Sequence, residues 1–87
     1  MEKSNYLKEL DDLIHLDFIP CESSNIEGYA YHSEKQKLWI AFKGGRVYRY
    51  SNVPPEVANG LHLAESKGKY HSTYIKGKYD YDGYELQ

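Results

Sequence analysis

Apolar positions along this chain switch period twice. Leu7, Leu10, Leu13 and Ile14 recur at helical spacing, with Lys8, Glu9, Asp11 and Asp12 opposite them and Ser4 able to cap. That pattern predicts an amphipathic helix over residues 4–16. Phe18-Ile19-Pro20 ends it, and the turn-like run Pro20-Cys21-Glu22-Ser23-Ser24 separates an N-terminal helical appendage, residues 1–20, from the rest.

Period two then takes over. A strand is predicted from Asn25 to Tyr31, and the polar loop His32–Gln36 follows it. A second strand runs from Lys37 to Phe42, with Leu38, Ile40 and Phe42 on one face and Trp39 and Ala41 on the other. Lys43-Gly44-Gly45 is a hairpin signal, because glycine reaches positive φ freely. Arg46 to Ser51 returns as a third strand, with Arg46, Tyr48 and Tyr50 on one face and Val47 and Arg49 on the other.

Helical spacing comes back at Val53-Pro54-Pro55-Glu56, a proline-marked start with an acid at the positive helix end. Val57, Leu61 and Ala64 continue it, Gly60 interrupts it, and Ser66-Lys67-Gly68 stops it. A short second helix is predicted from Lys69 to Lys76, ended by Gly77. The tail, residues 80–87, alternates tyrosine and acid and suits either an edge strand or a disordered end. The order predicts an α+β domain: a three-stranded antiparallel meander packed against C-terminal helices, with an N-terminal amphipathic helix.

Composition adds a preference for rings. The 87 residues hold ten tyrosines against two phenylalanines and one tryptophan. Tyrosine packs like an apolar ring but needs a hydroxyl partner, so it belongs at core boundaries or binding faces. Charge is uneven. Residues 1–42 carry a net −4, residues 43–78 a net +5 and residues 79–87 a net −3. A basic middle between acidic ends fits a local anion site better than steering of a long polyanion. The single cysteine, Cys21, rules out an internal disulfide and fits a reducing compartment. No apolar run approaches the ~20 residues of a membrane span, and the N-terminus lacks a signal-peptide core. These features predict a cytoplasmic protein with no membrane partner.

Several short motifs, in order, look familiar as a set. They are Tyr29, Leu38 to Phe42, Gly44-Gly45, Tyr48-Arg49-Tyr50, Val53-Pro54-Pro55, Ser66-Lys67-Gly68-Lys69-Tyr70 and Ile75-Lys76-Gly77-Lys78-Tyr79. Residues 24–79 thereby resemble the KTSC domain, named for its occurrence at the C-terminus of some lysyl-tRNA synthetases. The resemblance implies a free-standing small protein of bacterial or phage type. It implies no established activity, with RNA binding as the usual suggestion, and no synthetase domain accompanies it here.

Catalysis finds little support in the residues. His15, His32, His62 and His71 sit in no recognisable motif, and Ser66 with His71 is the best nucleophile–base pair on offer. Cys21 reads as a turn cysteine. No His-x3-His, carboxylate ladder, Walker loop or GxGxxG occurs, so neither a metal nor a cofactor is expected.

Binding is the better reading. Arginine and lysine hold phosphates, and tyrosine rings stack bases. Arg46, Tyr48, Arg49 and Tyr50 offer both groups on one strand. Ser66, Lys67, Lys69, Tyr70, His71, Tyr74, Lys76 and Lys78 offer them on the glycine-flanked helix. The competing structural reading makes Tyr48 and Tyr50 boundary packing, Tyr70 and Tyr74 one packed face, and the lysines a solvated surface. Trp39 is core if the N-terminal helix covers it, and a stacking or oligomer surface otherwise.

The leading expectation is a non-enzymatic binder of a phosphate-bearing ligand, a nucleotide (as a sequestered signal) or short RNA. The alternative is a protein-interaction module, self-associating through the N-terminal helix or the tail. A nucleotide hydrolase using Ser66 or His71 ranks third. Arg46 or Arg49 converging with Lys69 or Lys76 on one concave surface would favour the first.

Overall fold

The structure, a computed structural model, describes residues 5–85. The helix α1 runs from Asn5 to Ile14; the proposed cap Ser4 lies outside the described residues. His15, at φ 59°, turns the chain out of it. Five strands follow in the order β1 Ile19–Pro20, β2 Ile26–His32, β3 Lys37–Phe42, β4 Arg46–Tyr50 and β5 Tyr81–Glu85. Helix α2, Pro55–Leu63, and α3, Lys67–Tyr70, lie between β4 and β5 in the chain. A π-helical turn, His71–Ile75, continues α3.

All five strands form one antiparallel sheet in chain order. The meander is therefore wider than the predicted three strands. The short β1 adds one edge beside β2. The tail adds the other: β5 pairs with β4 from Arg46↔Glu85 to Tyr50↔Tyr81. Two features bring the tail there. Gly77, at φ 77°, reverses the chain after the π turn, and Ser51 N–H donates to Asp80 O at 2.9 Å. The β3–β4 hairpin turns on Gly44 and Gly45, at φ 96° and 92°, values that side chains rarely tolerate.

Alternate residues send the sheet into two cores. On one face Ala30, Ala41 and Val47 meet Leu7 and Leu10 of α1 and Phe18. Asp11 Oδ1 accepts the Phe18 N–H at 2.7 Å, locking the helix exit. Trp39 is half-buried against this core. On the opposite face Tyr29, Leu38, Ile40 and Tyr50 pack against Leu61 of α2 and Ile75 of the π turn. The result is three layers: α1, sheet, and C-terminal helices.

Four tyrosine hydroxyls fasten the second interface. Tyr29 Oη meets His62 Nδ1 at 2.6 Å, Tyr31 donates to Val53 O at 2.6 Å, Tyr50 meets His71 Nε2 at 2.7 Å, and Tyr70 donates to Val57 O at 3.0 Å. Each buried hydroxyl finds its partner, as a ring at a core boundary requires. Gly60 is explained by the last of these. A Cβ there would lie 2.1 Å from the Tyr70 hydroxyl, so Tyr70 crosses α2 where a side chain is missing. No helix among the described residues is long and apolar enough to cross a membrane.

Candidate functional site: a cationic aromatic cleft

The layer of C-terminal helices stops short of one corner of the sheet. There, between the β3–β4 hairpin, the start of β5 and the π turn, a cleft of about 360 Å³ opens. Period two puts Phe42 and Tyr48 on the sheet face that lines it, with ring centroids 5.1 Å apart. Tyr81 of β5 joins them, 4.9 Å from Tyr48 and 5.5 Å from Tyr50. Lys43, Arg46 and Lys76 are exposed and ring the opening. None of the described residues lining the cleft is acidic.

The floor is a hydrogen-bonded pair. Tyr50 is buried and His71 is 5% exposed. Burial holds the Tyr50 phenol up, to about 12, with Tyr48 and Tyr81 adding to the effect. Burial holds the His71 imidazole below its ordinary value, and the neighbouring Lys76 ammonium lowers it further. Both shifts favour the uncharged forms, so a neutral pair shares one proton across the 2.7 Å contact. Phe42 and Tyr50 both meet the imidazole edge to face, at 5.2 and 5.7 Å.

Of the twelve residues proposed from sequence, the structure brings Arg46, Tyr48, Tyr50, His71 and Lys76 to this cleft. Ser66, Lys67 and Lys69 line a neighbouring hollow with residues 22–25, and the two hollows share Asn25 and Ser72. Ser66 caps α3, its Oγ accepting the Lys69 N–H at 3.3 Å. Lys67 Nζ donates to Ala64 O and His62 O at the end of α2 and lies 5.7 Å from the Tyr29 ring centroid. Ser66 and His71 thus address different partners rather than each other.

Tyr70 is a packing residue over α2, and Tyr74, 56% exposed, stacks on its outer side at 4.7 Å. Lys78 is exposed and lines neither the cleft nor the hollow beside it. Arg49 sits across the sheet from the cleft. Its guanidinium lies 5.5 Å from the Trp39 ring centroid and pairs with Asp82. The reason is its register: Arg49 shares a face with Val47, opposite Trp39 on β3.

Phe42, Lys43, Asn25, Ser72 and Tyr81 line the cleft without having been singled out. For Phe42 a signal existed, because it shares the face of Leu38 and Ile40. For Tyr81 none did until β4 was seen to leave an open edge. Among the described residues, no three His, Cys, Asp or Glu side chains gather as metal ligands would. The Cys21 thiol is half-buried and pushed up by burial, with Sγ 3.7 Å from Ile26 O.

Sheet, helical layers and cleft together define a small α+β domain with a corner that carries positive charge and aromatic rings. The chain belongs to the KTSC domain family, whose model matches residues 22–79. It is similar to a lysine–tRNA ligase of Nostoc punctiforme, 38% identical over 71 residues that cover 82% of this chain and 13% of the ligase. The chain therefore spans a small fraction of that relative's length. A protein of Tsukamurella paurometabola is 42% identical over 60 residues, 69% of this chain and 90% of that protein. The crystal structure of a KTSC domain protein from Yersinia pestis superposes with a TM-score of 0.73 at 28% identity, covering 83% of this chain and 99% of the other.

Proposed function

We propose that this protein is a non-enzymatic binding module for a small phosphate-bearing ligand, a nucleotide in the first instance, held in the cleft beside Tyr48. The observation that carries this reading is the meeting of Arg46 from β4 with Lys76 from the end of the π turn around one aromatic-walled opening. Arginine offers a forked pair of donors and lysine a point charge, and phosphate oxygens accept from both. The lining of the cleft adds Lys43, while Glu85 stands opposite Arg46 in the β4–β5 register.

Size favours a small ligand over a polymer. Pockets for small molecules run from roughly 300 to 1,000 Å³, and this one, at about 360 Å³, suits a single nucleotide. The acidic residues 1–42, net −4, also disfavour wrapping by a long RNA. The relatives named as lysine–tRNA ligases act on a tRNA by name, and this chain matches 13% of their length.

The test is calorimetric titration of the full chain with nucleoside mono-, di- and triphosphates and a short oligoribonucleotide. A charge-assisted hydrogen bond contributes about 1.5–3 kcal/mol. Arg46→Ala and Lys76→Ala should each weaken nucleotide binding by roughly ten- to a hundredfold, and the ligand should be recovered intact. Absence of heat with every ligand at millimolar concentration would overturn the proposal.

A further inference from the structure

Strand β5 begins beyond the segment matched by the family model, residues 22–79, yet it furnishes part of the cleft wall. Its first residue, Tyr81, is 55% exposed. The ring nevertheless has a fixed seat. It lies tilted against Tyr48, 4.9 Å away at 37°, and against Tyr50, 5.5 Å away at 42°. The residues on either side anchor the backbone. Asp80 O accepts the Ser51 N–H at 2.9 Å, and the Asp82 carboxylate pairs with Arg49 across the sheet.

A large exposed ring costs solvation, and an edge strand can place one outward with nothing to meet it. Here it instead extends an aromatic surface begun by Phe42 and Tyr48, beside the cations Lys43, Arg46 and Lys76. Those cations can recognise any phosphate ester. Rings add a term only for a ligand with a flat π-face, and every nucleobase has one.

We infer that β5 is the specificity element of the cleft, in which Tyr81 with Tyr48 stacks a nucleobase while Arg46 and Lys76 take the phosphate, so that a nucleoside monophosphate is selected over a bare sugar phosphate. This rests on the phosphate-site reading above. Arg49 then acts as a positioning residue, holding Tyr81 through Asp82.

The experiment compares adenosine 5′-monophosphate with ribose 5-phosphate by calorimetry on the full chain and its variants. The wild-type protein should bind the nucleotide more tightly. Tyr81→Ala should weaken the nucleotide by about five- to a hundredfold and leave ribose 5-phosphate unchanged. Tyr81→Phe should retain the preference, and Arg49→Ala should lower the nucleotide-to-sugar ratio without altering the sugar phosphate. Equal binding of the two ligands by the wild type, or a nucleotide affinity unmoved by Tyr81→Ala, would overturn the inference while leaving the phosphate site standing. Failure of both ligands to bind the wild type would overturn the phosphate site and the inference with it.

Discussion

The two faces of the sheet are made from alternate residues of the same strands, and they do different work. Under α1 the centre of the face is apolar and closed: Ala30, Ala41 and Val47 against Leu7, Leu10 and Phe18, with Trp39 and Arg49 half-buried beside it. Under the C-terminal helices it is rich in tyrosine, and hydroxyls tie the layers together at Tyr29, Tyr31, Tyr50 and Tyr70. In β4 a single step separates the two, from Val47, fully buried, to Tyr48 in the wall of the cleft. The cleft lies on the second face because its covering layer ends early. α2 and the π turn bury Leu38 and Ile40 but leave Phe42 and Tyr48 only partly covered. The first face has no such gap at its centre. Ala41 and Val47 are fully buried there, in one cluster with Leu7 and Leu10 of α1 and Phe18.

The largest expected effect tests whether the closed face serves only stability. Leu10→Ala should cost about 2–5 kcal/mol in urea unfolding, through lost burial and the cavity left behind. The affinity of the folded fraction for nucleotide should not change. A large shift in that affinity would break the distinction between the faces.

A smaller effect sharpens the other interface. Alanine in a helix is favoured over glycine by roughly 1 kcal/mol, so Gly60→Ala should stabilise α2 if propensity ruled. The Tyr70 hydroxyl lies where the new methyl would go, and overpacking costs about 1–3 kcal/mol. Gly60→Ala should therefore destabilise the protein. In a Tyr70→Ala background the same change should become stabilising, a reversal that a denaturant-melt cycle reads directly.

The floor of the cleft gives a third test, through Tyr50→Phe. It strips His71 Nε2 of its partner and should cost about 1–3 kcal/mol. The pH dependence follows from the imidazole. In the fold it stays neutral below its ordinary value of 6.5, so on acidification the unfolded chain takes up the proton first. Its contribution to stability is present above that value and is lost as pH falls through the folded value. Urea midpoints between pH 7.5 and 5.5 should fall in the wild type, and fall less in His71→Gln. An equal fall in both would show that His71 is not the source. Smallest of all, Lys78→Ala should change stability by no more than about 0.5 kcal/mol and leave nucleotide affinity as it was, since Lys78 lines neither hollow.

Much of the sheet could be read from period two. β3 was expected at Lys37–Phe42, where it lies, and β2 and β4 within a residue at their ends. The lone pairing of Ile19–Pro20 could not be read, and the tail reads equally as an edge strand, which it is, or a disordered end. A run of alternating tyrosine and acid pairs with a neighbour only if one presents an open edge, and that depends on where the helices return the chain. The cleft was legible in its parts but not in its assembly. Alternation showed that Arg46 and Arg49 face opposite ways. It does not show which face α1 claims, and Arg49 lies on the α1 face, opposite to that of Arg46, Tyr48 and Tyr50. Gly60 looked like a defect in a helix because the ring that crosses it comes from ten residues further along the chain.

If the corner bounded by Lys43, Arg46, Lys76 and Tyr81 binds and the α1 face serves only the fold, ligand should perturb the two differently. Amide chemical shifts of the ¹⁵N-labelled full chain, followed during titration with adenosine 5′-monophosphate, test it most directly. Saturable shifts are expected at Lys43, Arg46, Ser72, Lys76 and Tyr81, with the amides of Leu7 to Ile14 unmoved. Shifts centred on α1, or no saturable shift anywhere, would contradict it.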